Sequence, residues 1–483
     1  MAANFLHGVE TIEIDSGPRA VTLVKTAVIG IIGTAAAGAV NTPILVTSER
    51  DFAQFGEDIP NSTIRKALNR VYKQKGTVAI VINVLDPATH KTTLSTPEVV
   101  TVDQDGKFSL GHAAVVGDIT LTNSAGTTTY VKDTDYSFDA ATGTGERIST
   151  GSIPAGTVAS PTTLKATYTW ADPSKVQPSD VIGTVNAAGQ RTGMKALRDS
   201  YQLFGYYPKI IIAPVFSTLN SVSTELVALM ESIRAFGFVS APIGTTFQQA
   251  ITGRGPSGSI NFNTSSRRVG LCFPHVKDYD TATDTEVLAD LATYAAGALA
   301  RKDQENGYWW SPSNTELLGV TGLETPIYAM VNDANSEANL LNEAGIITVF
   351  NSYGTGIRLW GNRSAAFPSD THPKNFINVL RTADVIAESL EYYTLQYMDR
   401  PLDNALIDAI VESGNAFMRK LKADGAIIDG KVWYDPADNE TTDLSAGHAT
   451  FTYDFMPPPA TERVTYKSIV NTDYLNQLGT KSS

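Results

Sequence analysis

Apolar and polar positions fall into three rhythms along the chain. Both faces are apolar over 26–34 (TAVIGIIGT) and 77–85 (TVAIVINVL), the pattern of strands buried inside a parallel sheet. Between them Ile64, Ala67, Leu68, Val71 and Tyr72 recur on one helical face, which predicts a helix over 63–75 capped by Ser62. Strand, helix and strand at this spacing predict an α/β layer. The rhythm resumes downstream with helix 193–204, strand 209–215, helix 221–236, strands 238–243 and 268–273, helix 284–302, helix 338–344 and strand 346–350.

From 92 to 172 the composition turns to Thr, Ser, Gly and Asp, and the period drops to two. Short alternating pieces lie at 98–102, 108–110, 119–122, 128–131 and 164–170, with Asp105-Gly106 and Ser124-Ala125-Gly126 as hairpin turns. Past 353 the pattern changes again. A strand at 357–360 precedes a long helix over 374–398, a break at Asp399-Arg400-Pro401, a helix over 403–422, and strands near 425–434 and 449–455. The expected fold class is an α/β core domain with an inserted all-β domain, plus a C-terminal α+β domain with extended N- and C-terminal strand arms. The expected boundaries are 1–20 for the N-terminal arm, 21–91 and 173–352 for the α/β domain, 92–172 for the insertion, 353–460 for the C-terminal domain and 461–483 for the last arm.

The final segment, 462–470 (ERVTYKSIV), sets Val464 and Tyr466 on one face against Arg463, Thr465 and Lys467 on the other. It follows Pro457-Pro458-Pro459, a stiff extended tether, and is followed by a short helical turn and a polar tail. A strand needs a neighbour, and none lies beside it in sequence. The start of the chain repeats the situation: Ile12 and Ile14 flank Glu13, and Val21 and Leu23 flank Thr22, with Ser16-Gly17-Pro18 as a bend between.

At 483 residues, 42% hydrophobic and 18% charged, the chain is long enough for two or three domains and is globular in type. A formal charge of −13 makes it a poor non-specific nucleic-acid binder, since that affinity rests on cations at phosphates. The lone Cys272 sits in an apolar run and reads as a buried thiol. The first residues lack the basic start and apolar core of a signal peptide, and no run reaches the length of a membrane span, so folding in the cytosol without membrane insertion is expected.

A search for chemistry finds little that converges. The six histidines have no metal-ligand spacing, and Asp103-Gln104-Asp105-Gly106 lacks the acid a calcium loop needs, Ala114 standing in its place. Gly30-Ile31-Ile32-Gly33 falls short of a dinucleotide fingerprint and reads as close backbone packing. Gly253-Arg254-Gly255-Pro256-Ser257-Gly258 has no following Lys-Ser/Thr pair and reads as a surface loop. Tyr308-Trp309-Trp310 and Tyr392-Tyr393 read as packing aromatics. No catalytic, cofactor or metal residue is expected. Arg419, Lys420 and Lys422 close the second C-terminal helix, either complementing its dipole or forming a basic patch for an acidic partner.

Three stretches together resemble the contractile tail sheath proteins of phages and R-type pyocins. They are His7-Gly8-Val9-Glu10 through Ile14 and Gly17-Pro18-Arg19 into 26–34; IRLWGNRSAAF at 357–367; and Pro458-Pro459-Ala460-Thr461-Glu462-Arg463-Val464. The resemblance leaves out 92–172. It implies a subunit that stacks in rings around a tail tube and contracts from a metastable extended state to drive the tube through a host envelope. It implies arms that complete a small sheet in another subunit, carried by Val9, Ile12 and Ile14 and by Arg463, Val464, Tyr466 and Ile469, with 456–459 as a hinge. The implied partners are further copies of itself, a tail tube protein, and baseplate and tail terminator proteins, with assembly in the host cytoplasm and residence in the virion. A different phage structural or adhesin-like subunit, and a nucleotide-binding α/β enzyme, are the readings that stand beside it.

Overall fold

A computed structural model describes residues 25–75, 78–157, 160–255, 257–281, 283–351, 354 and 356–478. The two fully apolar runs form strands β1 (Ile29–Gly33) and β3 (Ala79–Asn83), every residue buried. With β2 (Ile44–Val46), β4 (Ile210–Ile212), β5 (Phe236–Ser240), β6 (Val269–Cys272), β7 (Ile346–Asn351) and β8 (Ile357–Trp360) they build an eight-stranded sheet of order β2-β3-β1-β4-β5-β6-β7-β8. The inner pairs are parallel, and the edge strands β2 and β8 are antiparallel.

Successive side chains of these strands go to opposite faces. Ile29 and Ile31 enter one core with helices α1 (Ile64–Lys73) and α3 (Leu291–Glu305), while Ile32 enters another with α2 (Asn220–Ser232) and α4 (Glu337–Glu343). Helices on both sides explain why alternation is lost in the sequence. Gly30 and Gly33 serve close packing: a Cβ on Gly30 would lie 3.1 Å from Pro208, and one on Gly33 would collide with the Thr63 hydroxyl.

Several elements depart from the sequence pattern. Ser62 does not cap α1; its hydroxyl donates to Asp58 at 2.6 Å, while Thr63 accepts the Thr34 N–H at 3.0 Å. The helix expected over 221–236 stops at Ser232, because Arg234 takes a positive φ of 47° and Phe236 already belongs to β5. The helix expected from 284 is two elements. Thr285–Ala289 is a strand paired with Val276–Asp280, and α3 begins only after Asp290, whose carboxylate accepts the Thr293 N–H at 3.2 Å. The boundary expected at 353 falls between β7 and β8, which pair, so the sheet runs on to Trp360.

The segment 92–172 does form β-structure with a core of its own, including Val102, Phe108, Leu121, Tyr136 and Leu164. One sheet joins Glu98–Val102, Thr162–Thr167, Thr120–Asn123 and Thr129–Tyr130; a second joins Lys107–Ser109, Thr144–Arg147 and Tyr136–Asp139. Asp105-Gly106 makes a tight turn, but the strands on either side of it enter different sheets. The chain enters and leaves through a two-stranded neck in which Lys91 faces Ala171 and Thr93 faces Thr169.

C-terminal to the sheet, helix α5 (Ile377–Thr394) and helix α6 (Asn404–Ala423) pack on a hairpin of β9 (Asp429–Tyr434) and β10 (Phe451–Met456). Their shared core holds Ile386, Phe417, Met418, Leu421 and Val432. Tyr308 is buried among them, so this aromatic packs between domains. Among the described residues no helix is long and apolar enough to cross a membrane.

Candidate assembly interface: a tied helix and an untied arm

Helix α5 turns a charged face toward the sheet. Arg381, Asp384, Glu388 and Glu391 follow at steps of three, four and three residues, one side of a helix. Each meets an opposite charge of the α/β domain. Arg381 donates to Asp303 of α3 at 2.6 Å and to the Thr26 carbonyl at 3.2 Å. Arg268, just ahead of β6, donates to Asp384 at 3.0 Å and to Glu231 at 2.9 Å. Lys209, just ahead of β4, pairs with Glu388, and its amine also donates to the Ile233 carbonyl at 2.9 Å. Arg234, ahead of β5, forks onto Glu391 at 2.6 and 2.7 Å. The amino ends of three neighbouring parallel strands are thus tied to one helix.

Burial sets the electrostatics of these pairs. Lys209 and Glu388 side chains are each 8% exposed. Loss of water pushes the Lys209 amine down and the Glu388 carboxyl up, and each charge opposes the other's shift. At Arg268 burial also works against the charge, but Asp384 and Glu231 more than offset it and raise the pKa.

The two C-terminal stretches IRLWGNRSAAF and PPATERV meet in space. Arg363 lies over the Phe376 ring at 3.7 Å and donates to Glu462 at 2.8 and 2.6 Å. Asn378 donates to the Pro458 carbonyl at 3.1 Å. Beyond Glu462 these anchors end. Residues 463–470 take part in no ladder and no hydrogen bond among the described residues, and a single 3-10 turn, Thr472–Gln477, follows. Val464 is 64% exposed, Tyr466 91%, Ile469 86% and Val470 94%. Strict alternation places Ile469 with Arg463 rather than with Val464 and Tyr466. The strand pattern expected over 462–470 therefore finds no partner among the described residues. Val9, Ile12 and Ile14 lie outside the described residues.

Arg419 meets Glu412 at 2.7 Å and Lys422 meets Asp429 at 3.0 Å, while Lys420 is exposed at the carbonyl end of α6. The glycine loop after 253 turns out to be an internal staple: the Arg254 guanidinium donates to the carbonyls of Ala344, Phe262, Thr264, Ala365 and Phe367. Cys272 is buried, which pushes its thiol well up.

The family model for the phage tail sheath protein central domain matches residues 189–365, and that for the phage tail sheath C-terminal domain matches 369–471. The tail sheath protein of Burkholderia phage BcepMu is 54% identical over 475 residues, 98% of each chain. The chain belongs to the phage tail sheath family. It is a structural subunit of a contractile tail sheath. The tail sheath protein of Escherichia phage P2 is 27% identical to this sheath chain over 483 residues, 99% of this chain and 98% of its own. Among solved structures, the helical sheath of the anti-feeding prophage in its contracted state shares the fold, with a TM-score of 0.58 at 14% identity over 97% of this sheath chain and 100% of its own. Neither family model reaches the inserted β-domain of the sheath chain.

Proposed function

We propose that the subunit polymerises as stacked rings around a tail tube and that neighbouring subunits are linked by donated strands. Residues 1–20 and 461–483 act as arms, and the C-terminal domain after Trp360 receives them. The observation that carries this reading is the exposed, unpaired segment 463–470, whose Tyr466, Ile469 and Val470 are each more than 85% exposed. Burial at an interface contributes up to about 1.5–3 kcal/mol per large apolar side chain, and strand addition satisfies bare backbone groups besides. In the assembled sheath this gain recurs at every subunit.

The contraction reading follows the same physics. The linked sheet persists while rigid bodies rotate about 456–459 and the bend at Ser16-Gly17-Pro18, so energy is held as a difference between two packings of one lattice. Release drives the tube through the host envelope for genome delivery. Arg419, Lys420 and Lys422 face the tube, the inserted β-domain faces outward, and baseplate and terminator proteins close the two ends. The sheath assembles in the host cytoplasm and stays in the virion, without a catalytic role, direct nucleic-acid contact or membrane insertion.

Electron microscopy of purified protein tests this. The full chain should form long striated tubes, and deleting 462–483 should leave a folded monomer that forms none. Normal tubes from the truncated chain would remove the donated-strand reading. Reversing Arg419, Lys420 and Lys422 should leave tubes intact but weaken sheath placement on the tail tube; unchanged placement returns these residues to the helix dipole.

A further inference from the structure

Between the C-terminal hairpin and the α/β domain lies a cleft of about 650 Å³. The loop 264–268, just ahead of β6, lines it from the α/β side. Tyr453 and Phe455 of β10 line it from the other, their rings stacked with centroids 5.9 Å apart. Leu380, Ala383 and Ala387 of α5 add apolar surface. A concave, partly apolar space of this size with a few convergent polar groups has the form of a small-molecule site.

The polar groups of the cleft divide into those with partners and those without. Arg234 commits both terminal amines to Glu391, and Arg268 is held between Glu231 and Asp384. Both carboxylates that line the cleft, Glu231 and Asp384, are thereby neutralised. Arg267 is built differently. Its Nε donates to Asp370 at 2.5 Å, while its two terminal amines have no partner among the described residues. Asp370 thus fixes the guanidinium from one side and leaves the outer donors open. The loop does the same with its backbone. The N–H of Ser266 donates to the Thr264 hydroxyl at 3.3 Å and that of Arg268 to the Ser266 hydroxyl at 3.0 Å. The N–H groups of Ser265 and Arg267, the Ser265 hydroxyl and the Lys374 ammonium have no partner among the described residues.

We propose that this cleft binds a planar organic phosphate of the nucleoside monophosphate class, with its phosphate on Arg267, Lys374 and the 264–268 loop and its ring against Tyr453. The free groups at the head end are all donors, and a phosphate accepts from guanidinium, ammonium and amide donors at once. Lys374 is the cation of the cleft that has no carboxylate partner among the described residues, so it supplies the net attraction for an anion. The stacked pair Tyr453–Phe455 and the apolar side of α5 give a flat ring a surface that an inorganic anion leaves unused. The loop belongs to the α/β domain and Tyr453 to the hairpin, so the bound ligand braces one against the other. This binding role is independent of how subunits are linked in the sheath.

Calorimetric titration of the full chain with adenosine monophosphate and with inorganic phosphate, at matched ionic strength, tests the site. The nucleotide should bind saturably, about tenfold tighter than inorganic phosphate, and should raise the melting temperature of the chain. Lys374→Ala and Ser265→Glu should each weaken both ligands by about tenfold. Neither side chain has a hydrogen bond or ion pair among the described residues to lose, so both variants keep the fold. Tyr453→Ala should weaken the nucleotide and leave inorganic phosphate as it was. Lys107→Ala removes the same charge from the exposed surface of the inserted domain and should change neither ligand. Absence of saturable binding by both ligands overturns the site. Binding that survives Lys374→Ala and Ser265→Glu undiminished overturns its placement in this cleft. Inorganic phosphate that binds as tightly as the nucleotide overturns the role of the Tyr453 ring.

Discussion

Helix α5 and the segment 463–470 lie in the same C-terminal part of the chain and are built in opposite ways. The helix has a partner for each charge on its inner face, buried for Arg381, Asp384 and Glu388 and half-exposed for Glu391, and its other side packs on α6 and the hairpin. The segment has exposed apolar side chains and backbone groups that nothing among the described residues satisfies. The contrast divides two tasks. The ties of α5 hold the C-terminal domain to the parallel sheet as one body, so a force on the hairpin is passed to the strand ends. The segment adds little to that body and leaves its binding energy for other contacts.

Three substitutions test the division and a fourth, at the buried Asp278 that pairs with Arg70 inside the α/β domain, gives it a scale, in order of their effect on subunit stability. Glu388→Ala strands a buried ammonium and should cost about 3–5 kcal/mol in chemical denaturation, whereas Lys209→Met with Glu388→Leu should recover most of the loss. A cost under about 1 kcal/mol for the single change would mean that α5 is held by packing alone. Asp278→Asn should cost roughly 1–3 kcal/mol at neutral pH. Burial pushes the Asp278 carboxyl up, but Arg70, Tyr294 and Lys73 outweigh this and hold it below its ordinary value of 3.8. Its contribution is present above that value and is lost as pH falls through the lower folded pKa, so the variant should show a flatter acid limb in pH-dependent unfolding.

Arg363→Ala should cost about 1 kcal/mol, since the Arg363–Glu462 pair is partly exposed, and should speed limited proteolysis just after the prolines, at 460–463. Tyr466→Ser should change subunit stability by less than about 0.5 kcal/mol and yet sharply reduce tube formation. If it lowered stability as much as Arg363→Ala, the arm would belong to the subunit's own core after all.

Much of the central sheet was legible because strands covered on both faces are written as unbroken apolar runs, as at 29–33 and 79–83. The insertion was legible from composition, but Tyr136–Asp139 and Thr144–Arg147 were not, since YSFD and TGER are short and polar. The strand Thr285–Ala289 was absorbed into a helix pattern because its apolar residues also fit a helical spacing, and only Asp290 marks the true start. The unpaired arm could be read as an orphan because its solitude is a local property. The ties of α5 could not: Lys209 and Glu388 are 179 residues apart, and Arg234 and Glu391 are 157 apart. Asn415 is likewise an ordinary polar helix residue until the hairpin is folded against it, where its amide donates to the Val432 carbonyl and its oxygen accepts the Val432 N–H.

The neck of the inserted domain has a practical consequence. Because Lys91–Thr93 and Thr169–Ala171 run side by side, the host fold sees the whole insertion as one closed loop. A foreign domain whose ends lie about 5 Å apart, the spacing of paired strands, meets the same boundary condition. Lengthening or shortening the loop changes its closure entropy only by about 0.6 kcal/mol per doubling. Ala113, Ala114 and Val116 pack on the host core and stay in place, so a short peptide tag or a fluorescent protein spliced at the exposed turn Ser124-Ala125-Gly126 should leave the eight-stranded sheet as it is and give the subunit a cargo site.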